Sequence, residues 1–506
     1  MSLSKKKKVI CISILLLMAS FFAIVFLNKK TKITWYIANL NAYGFSHEDI
    51  KPYQELHSEQ FDLFNQRLKE LKIPAKVVFK AMPGEWDLAD GDEMTFQRGI
   101  EISGNKVQEI ISKDKDADIM PFSHMEYQRF ISLDSYFHTD GMKKAKISIP
   151  EALWEVNQIN AESYQIPRTL VSAKETIYAF YKPFLEQYQI DVDEETVRKM
   201  SPRRVIEWLS TYFAGETLLD GKYYITSGSD LFYVAYLGAK IKPMLEGGTI
   251  DVMLDYETGK IQDMYSNKKV LEYLDLCQWI YKNNIDAHEE QKTISNACIP
   301  VFKMMDIPVI EELGGEASEK GWEAIQLGDR WLSQSVGNGI LKSSKNKELA
   351  VEVLAATVYD KELSDIMIHG VLEKDYTLQD GYVVYKDASK TPAYSIGNNF
   401  IAYPTESEIP DKKEVSEQLL SQIRTIPYSS FTPVWNEKLL EQAAQIAAIC
   451  WETMTDVLYF DIPDMQEYLK TQQQRLKEKG LDKASFELQK QVDEWIESYG
   501  KESIAW

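Results

Sequence analysis

An uncharged apolar run lies near the start of the chain. Residues 9–27 contain no acidic or basic side chain, and lysine clusters lie on both sides of them. In helical form these residues rise about 28 Å, which matches the hydrocarbon core of a bilayer. The run predicts a membrane-spanning anchor within residues 1–32. A cleaved signal peptide is the alternative, because it shares the basic start and the apolar core. No small-x-small cleavage site closes the run, which favours the anchor.

The next apolar positions follow an alternating strand and helix pattern. A strand is predicted at 33–38, followed by a helix whose apolar side chains share one face, and then by a strand at 73–80. A second helix leads to a short buried strand at 118–122. Strand, helix, strand order favours parallel strands joined by crossovers, so the pattern predicts an α/β fold.

Loops that follow parallel strands are the first candidates for a binding site. In open α/β sheets, ligands bind beyond the carboxyl ends of the strands. This rule selects Asn41 and Tyr43 after the first strand, and it selects Phe122, Ser123 and His124 after the third. Ordinary turn chemistry explains the same residues equally well.

The second half of the chain alternates helices with short strands and ends in helices. Residues 295–312 and 332–341 are predicted to be strands, and the chain is expected to cross between two lobes in this region. The final helix has an apolar stripe made by five side chains, which are Phe486, Leu488, Val492, Trp495 and Ile496. Five tryptophans on predicted helices are assigned to core packing, namely Trp154, Trp208, Trp279, Trp435 and Trp451.

Composition narrows the class of protein. The chain has 57 basic and 77 acidic side chains, and seven of the lysines lie in residues 1–32. The remaining 474 residues therefore carry 50 basic and 77 acidic side chains, which argues against a nucleic-acid partner. A body of that size exceeds one ordinary core, so at least two lobes are expected. The cysteines form no CxxC motif and indicate neither a disulfide framework nor a thiolate metal site.

Catalytic and cofactor motifs are not evident. The six histidines show no metal-ligand spacing, and the GNG sequence at 337–339 lacks the third glycine of a dinucleotide loop. No catalytic residue, metal or cofactor is predicted. A glycosidase needs only two carboxylates close in space, and sequence spacing does not exclude such a pair. An exported carbohydrate-active hydrolase therefore stays an alternative.

Several segments, in a shared order, carry a family resemblance. The longest runs from 332 to 370 and joins a strand, a serine-rich turn and the helix start SKNKELA. The other segments are GNKVQEIISKDKDADIM, ISLDSYF, YQIP, EKDYTLQDGYVVY, SIGNNFIAYP and GLDKASFELQKQVDEWI. Together they resemble the family 1 extracellular solute-binding proteins of ABC sugar importers, in the lipoprotein branch that has its own C-terminal domain.

The resemblance implies a two-lobe periplasmic-binding-protein-like fold with a hinge. The expected first lobe is 33–166 plus 299–342, and the expected second lobe is 167–298 plus 343–506 with a helical C-terminal extension. The implied function is a non-enzymatic receptor that binds a carbohydrate between the lobes and delivers it to the permease subunits of an ABC importer. Arg330 and Trp331, at the start of the later crossing segment, join the candidate ligand contacts.

One departure from the family concerns the anchor. The branch carries a lipidated cysteine at the end of its signal, whereas Cys11 stands at the beginning of the apolar run. A lipid at Cys11 is therefore not expected, and residues 9–27 are expected to hold a monomeric receptor at the outer face of the cell membrane. A sensor or envelope protein that has lost transport is a further alternative on the same fold.

Overall fold

The computed structural model describes most of the chain after residue 29. The described residues are 30–38, 40–46, 50–82, 106–169, 173–228, 230–231, 241–244, 252–255, 258–283, 285, 298–308, 321–328, 331–332, 334–387, 393, 396–406, 408, 411–421, 423–425, 428 and 430–503. The predicted anchor at 9–27, together with Cys11, lies outside them. Within the described part, no helix is both long enough and apolar enough to cross a bilayer.

Strands and helices alternate through both halves of the chain. The strands are β1 Thr31–Ile37, β2 Ala75–Ala81, β3 Ala117–Pro121, β4 Gln165–Ile166, β5 Ala173–Tyr181, β6 Tyr223–Tyr224, β7 Ile241–Pro243, β8 Val252–Asp255, β9 Lys260–Asp263, β10 Ile299–Pro300, β11 Phe302–Pro308, β12 Trp322–Gln326, β13 Trp331–Leu332, β14 Asn338–Ile340, β15 Tyr376–Gln379, β16 Tyr382–Tyr385 and β17 Arg424–Thr425. The helices are α1 Glu59–Glu70, α2 Lys106–Lys113, α3 Asp140–Ser148, α4 Glu151–Val156, α5 Lys182–Tyr188, α6 Glu194–Arg198, α7 Pro202–Phe213, α8 Lys268–Lys282, α9 Lys347–Tyr359, α10 Lys361–His369, α11 Lys412–Leu420, α12 Glu437–Tyr459, α13 Met465–Glu478 and α14 Leu481–Ser503.

The first lobe is built on a sheet with the strand order β2-β1-β3-β14-β4. β1 pairs in parallel with both β2 and β3, which confirms the crossover pattern predicted from the sequence. β14 is antiparallel to both β3 and β4. The sheet is therefore mixed, and its last two strands come from distant parts of the chain.

Apolar side chains cover both faces of this sheet because its strands are buried on both sides. On one face Trp35 and Phe79 pack with side chains of α1, α3, α4, α9 and α10. On the other face Tyr36 and Met120 pack with α2 and with the segment that follows β3. Ser58 begins α1 as its N-cap, since its side chain accepts a hydrogen bond from the Phe61 amide.

The second lobe contains the strand order β11-β5-β13-β17, and β12 also pairs with β5. β11 and β12 are both antiparallel to β5. One large apolar core joins this sheet to α7, α8 and the three C-terminal helices. The smaller sheet β7-β8-β9 contributes to the same core.

The described chain passes between the lobes in three segments, at 166–173, 332–338 and 420–428. The second-lobe ends of these segments lie side by side. β13 pairs with the first residues of β5 and, on its other side, with β17. Strands that cross together in one sheet form a shared hinge, as the two-lobe prediction requires.

The lobe boundaries predicted from the sequence need correction. The described residues of 299–332 lie in the second lobe, because β11 and β12 pair with β5. Described residues between 341 and 423 lie in the first lobe, where α9 and α10 cover the first sheet. After β14 the chain stays on the sheet that β14 has joined, so the helices that follow it belong to the first lobe.

The predicted core positions are mostly confirmed. Trp154 is buried, and Trp208, Trp279 and Trp435 are partly buried against apolar clusters. Trp451 is 50% exposed on α12, so its assignment to the core is wrong. In the last helix Phe486 is 71% exposed, whereas Leu488, Val492 and Trp495 are buried.

We expect Gly337→Ala to destabilise the protein. A Cβ atom at Gly337 would lie 1.9 Å from the backbone oxygen of Ile166, and backbone cannot move away as a side chain can. Overpacking of this kind costs about 1–3 kcal/mol. Gly328→Ala is the matched control, since a Cβ atom there meets nothing within 4 Å. Chemical denaturation measures both variants, and equal unfolding free energies would contradict the prediction.

Acid is expected to destabilise the first lobe through His369. Its Nδ1 lies 2.7 Å from the Tyr385 hydroxyl and its Nε2 lies 2.9 Å from the Tyr403 carbonyl. Burial lowers the pKa of His369 to about 4 from an unfolded value of 6.5, and the neighbouring charges are Lys412, Glu408 and Lys361.

Because the unfolded chain binds the proton more tightly, this stability is present above pH 6.5 and is lost as the pH falls towards 4. The loss is about 3 kcal/mol. The unfolding free energy of the wild type should fall more steeply over that range than that of His369→Asn, which has no proton to bind. Parallel pH profiles would disprove the assignment.

Candidate functional site

The carboxyl ends of β1, β3 and β4 and the start of β14 meet at one edge of the first sheet. This edge, called the ligand edge below, comprises the described residues of 38–46, 121–126, 166–169 and 334–338. The three hinge segments leave the first lobe on this side, so the edge faces the junction of the lobes. It is the place where an open α/β sheet binds ligands.

Tyr43 ends a short 3-10 helix, Leu40–Tyr43, directly after β1. Its ring is 6% exposed and lies 6.3 Å, centroid to centroid, from the ring of Phe61 on α1. Phe61 in turn stacks on Phe79 at 4.2 Å. Tyr43 is therefore part of the core on the α1 face of the sheet. Asn41 lies in the same 3-10 helix, at the ligand edge.

Phe122 follows β3 and packs on the opposite face of the sheet. It is 3% exposed, and its ring lies 4.9 Å from Phe130 and 5.1 Å from His124. Its amide donates a hydrogen bond to the Gly337 carbonyl at 2.9 Å, which fixes the loop to the start of β14. Tyr43 and Phe122 are thus on opposite faces and do not form one aromatic surface.

Ser123 and His124 are the partly exposed members of the predicted set. The Ser123 hydroxyl accepts a hydrogen bond from the Glu126 amide at 3.3 Å. The Glu126 carboxylate accepts hydrogen bonds from the amides of Val107 and Gln108, at 2.7 and 3.0 Å. These amides open α2, so a buried side chain caps that helix and fixes the loop that carries Ser123 and His124.

Burial raises the pKa of the Glu126 carboxyl, and its hydrogen bonds oppose that rise. The guanidinium of Arg129 also donates to this carboxylate at 3.0 Å. The carboxylate is therefore fully engaged in structure. It holds the loop in place and is not presented to a ligand.

A buried polar network joins the hinge to the ligand edge. The Asn157 side-chain oxygen accepts a hydrogen bond from the Ser335 amide at 2.8 Å. The Gln165 side chain accepts from the Gly337 amide at 2.5 Å and donates to the Ser335 carbonyl at 3.2 Å. Across the sheet, the Trp35 indole donates to the Asn338 side-chain oxygen at 3.2 Å. These bonds fix the hinge segment as it enters β14.

The later pair of predicted contacts lies on the second-lobe side of the hinge. Trp331 begins β13, and its backbone pairs with Lys174 of β5 and Arg424 of β17. Arg330 lies outside the described residues. The structure places Trp331 beside the hinge, and its role as a ligand contact stays a prediction.

A contact between the lobes, missed by the sequence analysis, lies next to Ser123 and His124. Met125 is 7% exposed and packs on α12 of the second lobe. Its neighbours there are Leu440, Ala443, Ala444 and Ala447, whose spacing places them on one helix face. Trp435 packs at the border of this cluster. This arrangement is called the Met125 contact below.

Hydrogen bonds support the Met125 contact from the same side of the first lobe. The Asn160 amide donates to the Ser430 carbonyl at 3.1 Å, which links the lobes through backbone. The Asn160 side chain donates to the Tyr127 hydroxyl at 3.2 Å, and Tyr127 lies edge-on to Tyr164 at 5.4 Å. The loop after β3 is thus held by both lobes.

Few charges lie at the ligand edge. Among its described residues, only Arg168 and the buried Glu126 belong to the acidic or basic residue types Asp, Glu, Lys and Arg. The part of the chain that the structure describes contains no group of three His, Cys, Asp or Glu side chains placed to hold a metal ion. The described residues of the edge therefore supply mainly backbone groups, hydroxyls, an imidazole and amides.

Solved structures of similar fold cover nearly the whole chain. The N-glycan transport solute binding protein NgtS from Streptococcus pneumoniae is 18% identical, with a TM-score of 0.64 over 92% of this chain and 99% of that chain. The same protein in complex with Man5GlcNAc gives 17% identity and a TM-score of 0.57, over 93% and 99% of the two chains. The alginate-binding protein AlgQ2 without calcium ion gives 12% identity and a TM-score of 0.51, over 92% and 98%.

The chain has the two-lobe fold of the periplasmic solute-binding proteins. The likeness predicted from sequence motifs is thus confirmed at the level of fold. The family model DUF3502, a domain of unknown function, matches residues 431–497. That range covers α12, α13 and most of α14, and it contains the second-lobe side of the Met125 contact. No curated protein sequence matches the chain.

We expect Met125→Asp to separate the lobes. A carboxylate among Leu440 and the alanines of α12 has no partner in that cluster, and burying it unpaired is costly, so the contact opens to admit water. Small-angle scattering should show a larger radius of gyration, with unchanged circular dichroism. Ser135→Asp, at an exposed position of the same lobe, is the control. An unchanged radius for Met125→Asp would contradict this account.

Proposed function

We propose that the protein is an extracytoplasmic receptor that binds an oligosaccharide between its two lobes and delivers it to an ABC permease. The observation that carries the proposal is the two-lobe fold over 92% of the chain, shared with a protein solved in complex with Man1GlcNAc and Man5GlcNAc. The hinge of three crossing segments supports it, since a ligand between lobes needs a joint that lets them close. The sequence motifs of the sugar importers point in the same direction.

The chemistry of the ligand edge favours a neutral sugar. Sugar hydroxyls are recognised by hydroxyl, amide, imidazole and backbone groups, and sugar faces stack on aromatic rings. Ser123 and His124 bring such groups to the edge, and the described residues of the edge carry little charge. A strongly ionic solute would need paired charges that the described residues there do not supply.

The predicted contacts divide into two roles. We propose Ser123, His124, Asn41, Arg330 and Trp331 as ligand contacts. Four of them are proposed from their position at the edge or beside the hinge. Arg330 is proposed from its place in the sequence next to Trp331.

The other two predicted contacts, Tyr43 and Phe122, have a structural role, because their rings pack in the core and hold the loops of the ligand edge. Each ring is almost fully buried and packs on phenylalanine. A ring placed in this way fixes the loop above it and offers no open face to a sugar.

Delivery and location are part of the same proposal. We propose that residues 9–27 hold the receptor at the outer face of the cell membrane, close to its permease. The apolar run supports this because its length matches a bilayer, and the large acidic body that follows fits an exported domain.

Calorimetric titration with N-glycan fragments and other neutral oligosaccharides tests the proposal. We expect saturable binding by the wild type and about tenfold weaker binding by His124→Ala, which corresponds to about 1.4 kcal/mol and the loss of one hydrogen bond. Trp451→Ala is the control, because it removes an aromatic ring that is 50% exposed on α12.

Two results would contradict the receptor proposal. If none of the saccharides binds, the proposal that the ligand is an oligosaccharide is wrong. If mass spectrometry detects shorter saccharides during the titration, the protein is a hydrolase and not a receptor.

The role of His124 is tested separately. Equal losses of affinity in His124→Ala and Trp451→Ala would show that His124 does not contact the ligand.

A further inference from the structure

Lysines concentrate at the edge of the first sheet opposite the ligand edge. This edge, called the basal edge, comprises 30–32, 71–76, 113–118 and 341–348, where β1, β2 and β3 begin and β14 has ended. These segments hold nine lysines and four acidic residues, which gives a net charge of +5. The whole chain has a net charge of −20, so the basal edge has the opposite sign to the rest of the protein.

The positive charge of the basal edge is accessible. Lys72, Lys76, Lys115 and Lys342 are exposed, and none of them forms an ion pair with another described residue. The Lys345 side chain is 76% exposed, and the nearest carboxylate oxygen, on Asp116, lies 3.6 Å from its ammonium. Exposed ion pairs of this kind are weak. The lysines therefore keep a positive electrostatic potential that attracts external anions.

The basal edge is also the place where the apolar run joins the body. Only residues 28 and 29 separate the end of that run from Lys30, and each extended residue spans at most about 3.6 Å. If residues 9–27 span the membrane, the basal edge is held about 10 Å from the bilayer surface. That distance is close to one Debye length in physiological salt, so charges on the two surfaces interact.

We propose that the basal edge lies against an anionic lipid surface and so orients the anchored receptor. The lipid phosphates complement the exposed lysines, and the junction of the lobes is then turned away from the bilayer. Such contacts are weak and screened by salt, which lets the receptor leave the surface to meet its permease. The inference rests on the proposed anchor at 9–27 and not on sugar recognition.

Lysine acetylation of the full chain in lipid nanodiscs tests this inference. Discs contain either phosphatidylcholine alone or about 30% phosphatidylglycerol, and mass spectrometry gives the acetylation rate of each lysine. We expect Lys72, Lys76, Lys115 and Lys342 to react about threefold more slowly in the anionic discs, and the protection to vanish in about 0.5 M salt. Lys470, exposed on α13, should react at one rate throughout.

A charge reversal separates lipid contact from other causes of protection. Lys115→Glu combined with Lys345→Glu should abolish the difference between the two lipids. The same reversal at Lys470 on α13 and at Lys479, which follows α13, should leave it unchanged. Circular dichroism and oligosaccharide binding should be normal in both variants, since neither touches the ligand edge.

Three outcomes would overturn the inference. They are equal acetylation rates in neutral and anionic discs, protection that survives high salt, and failure of the full chain to stay in the discs. Each leaves the titration with oligosaccharides unaffected, so failure of this inference is distinguishable from failure of the proposed receptor function.

Discussion

The rest of the structure depends on the place of β14 in the first sheet. This three-residue strand fits between β3 and β4, where glycines leave room for the neighbouring backbone. At Gly337 any side chain would meet the Ile166 carbonyl, and at Gly339 it would meet Phe130 and the Tyr164 carbonyl. β14 returns the chain from the second lobe, so it fixes the hinge and also the loop after β3.

The loop after β3 connects β14 to the second lobe. The Gly337 carbonyl holds the Phe122 amide, and three residues later Met125 packs on α12. The helical range matched by the DUF3502 model therefore contacts the loop that carries Ser123 and His124. In this structure the loop beside the ligand edge is therefore packed against a helix face of the other lobe.

Local periodicity was sufficient to predict the strands and helices that open the first lobe. The strands β1, β2 and β3 and the helices α1 and α2 are strongly patterned, and their crossovers leave few topologies. Lobe membership after residue 299 was not predictable in this way. β11 reads as a strand from its own residues, but its pairing with β5 is a contact across more than a hundred residues that nothing local encodes.

Site residues show the same division. Sequence position brought Ser123 and His124 to the ligand edge, yet it could not show that Tyr43 and Phe122 lie on opposite faces of the sheet. The Met125 contact was missed because three of its four α12 residues are alanines, which are common on any helix. The spacing of Leu440, Ala443, Ala444 and Ala447 was the available signal, although it does not name a partner.

A crystal structure with a bound N-glycan fragment tests the central claim most directly. The account predicts a saccharide between the lobes, in hydrogen-bond distance of Ser123 or His124 and in contact with the second lobe, with Met125 still packed on α12. A saccharide bound away from the ligand edge, or bound without any contact to the loop after β3, would contradict it.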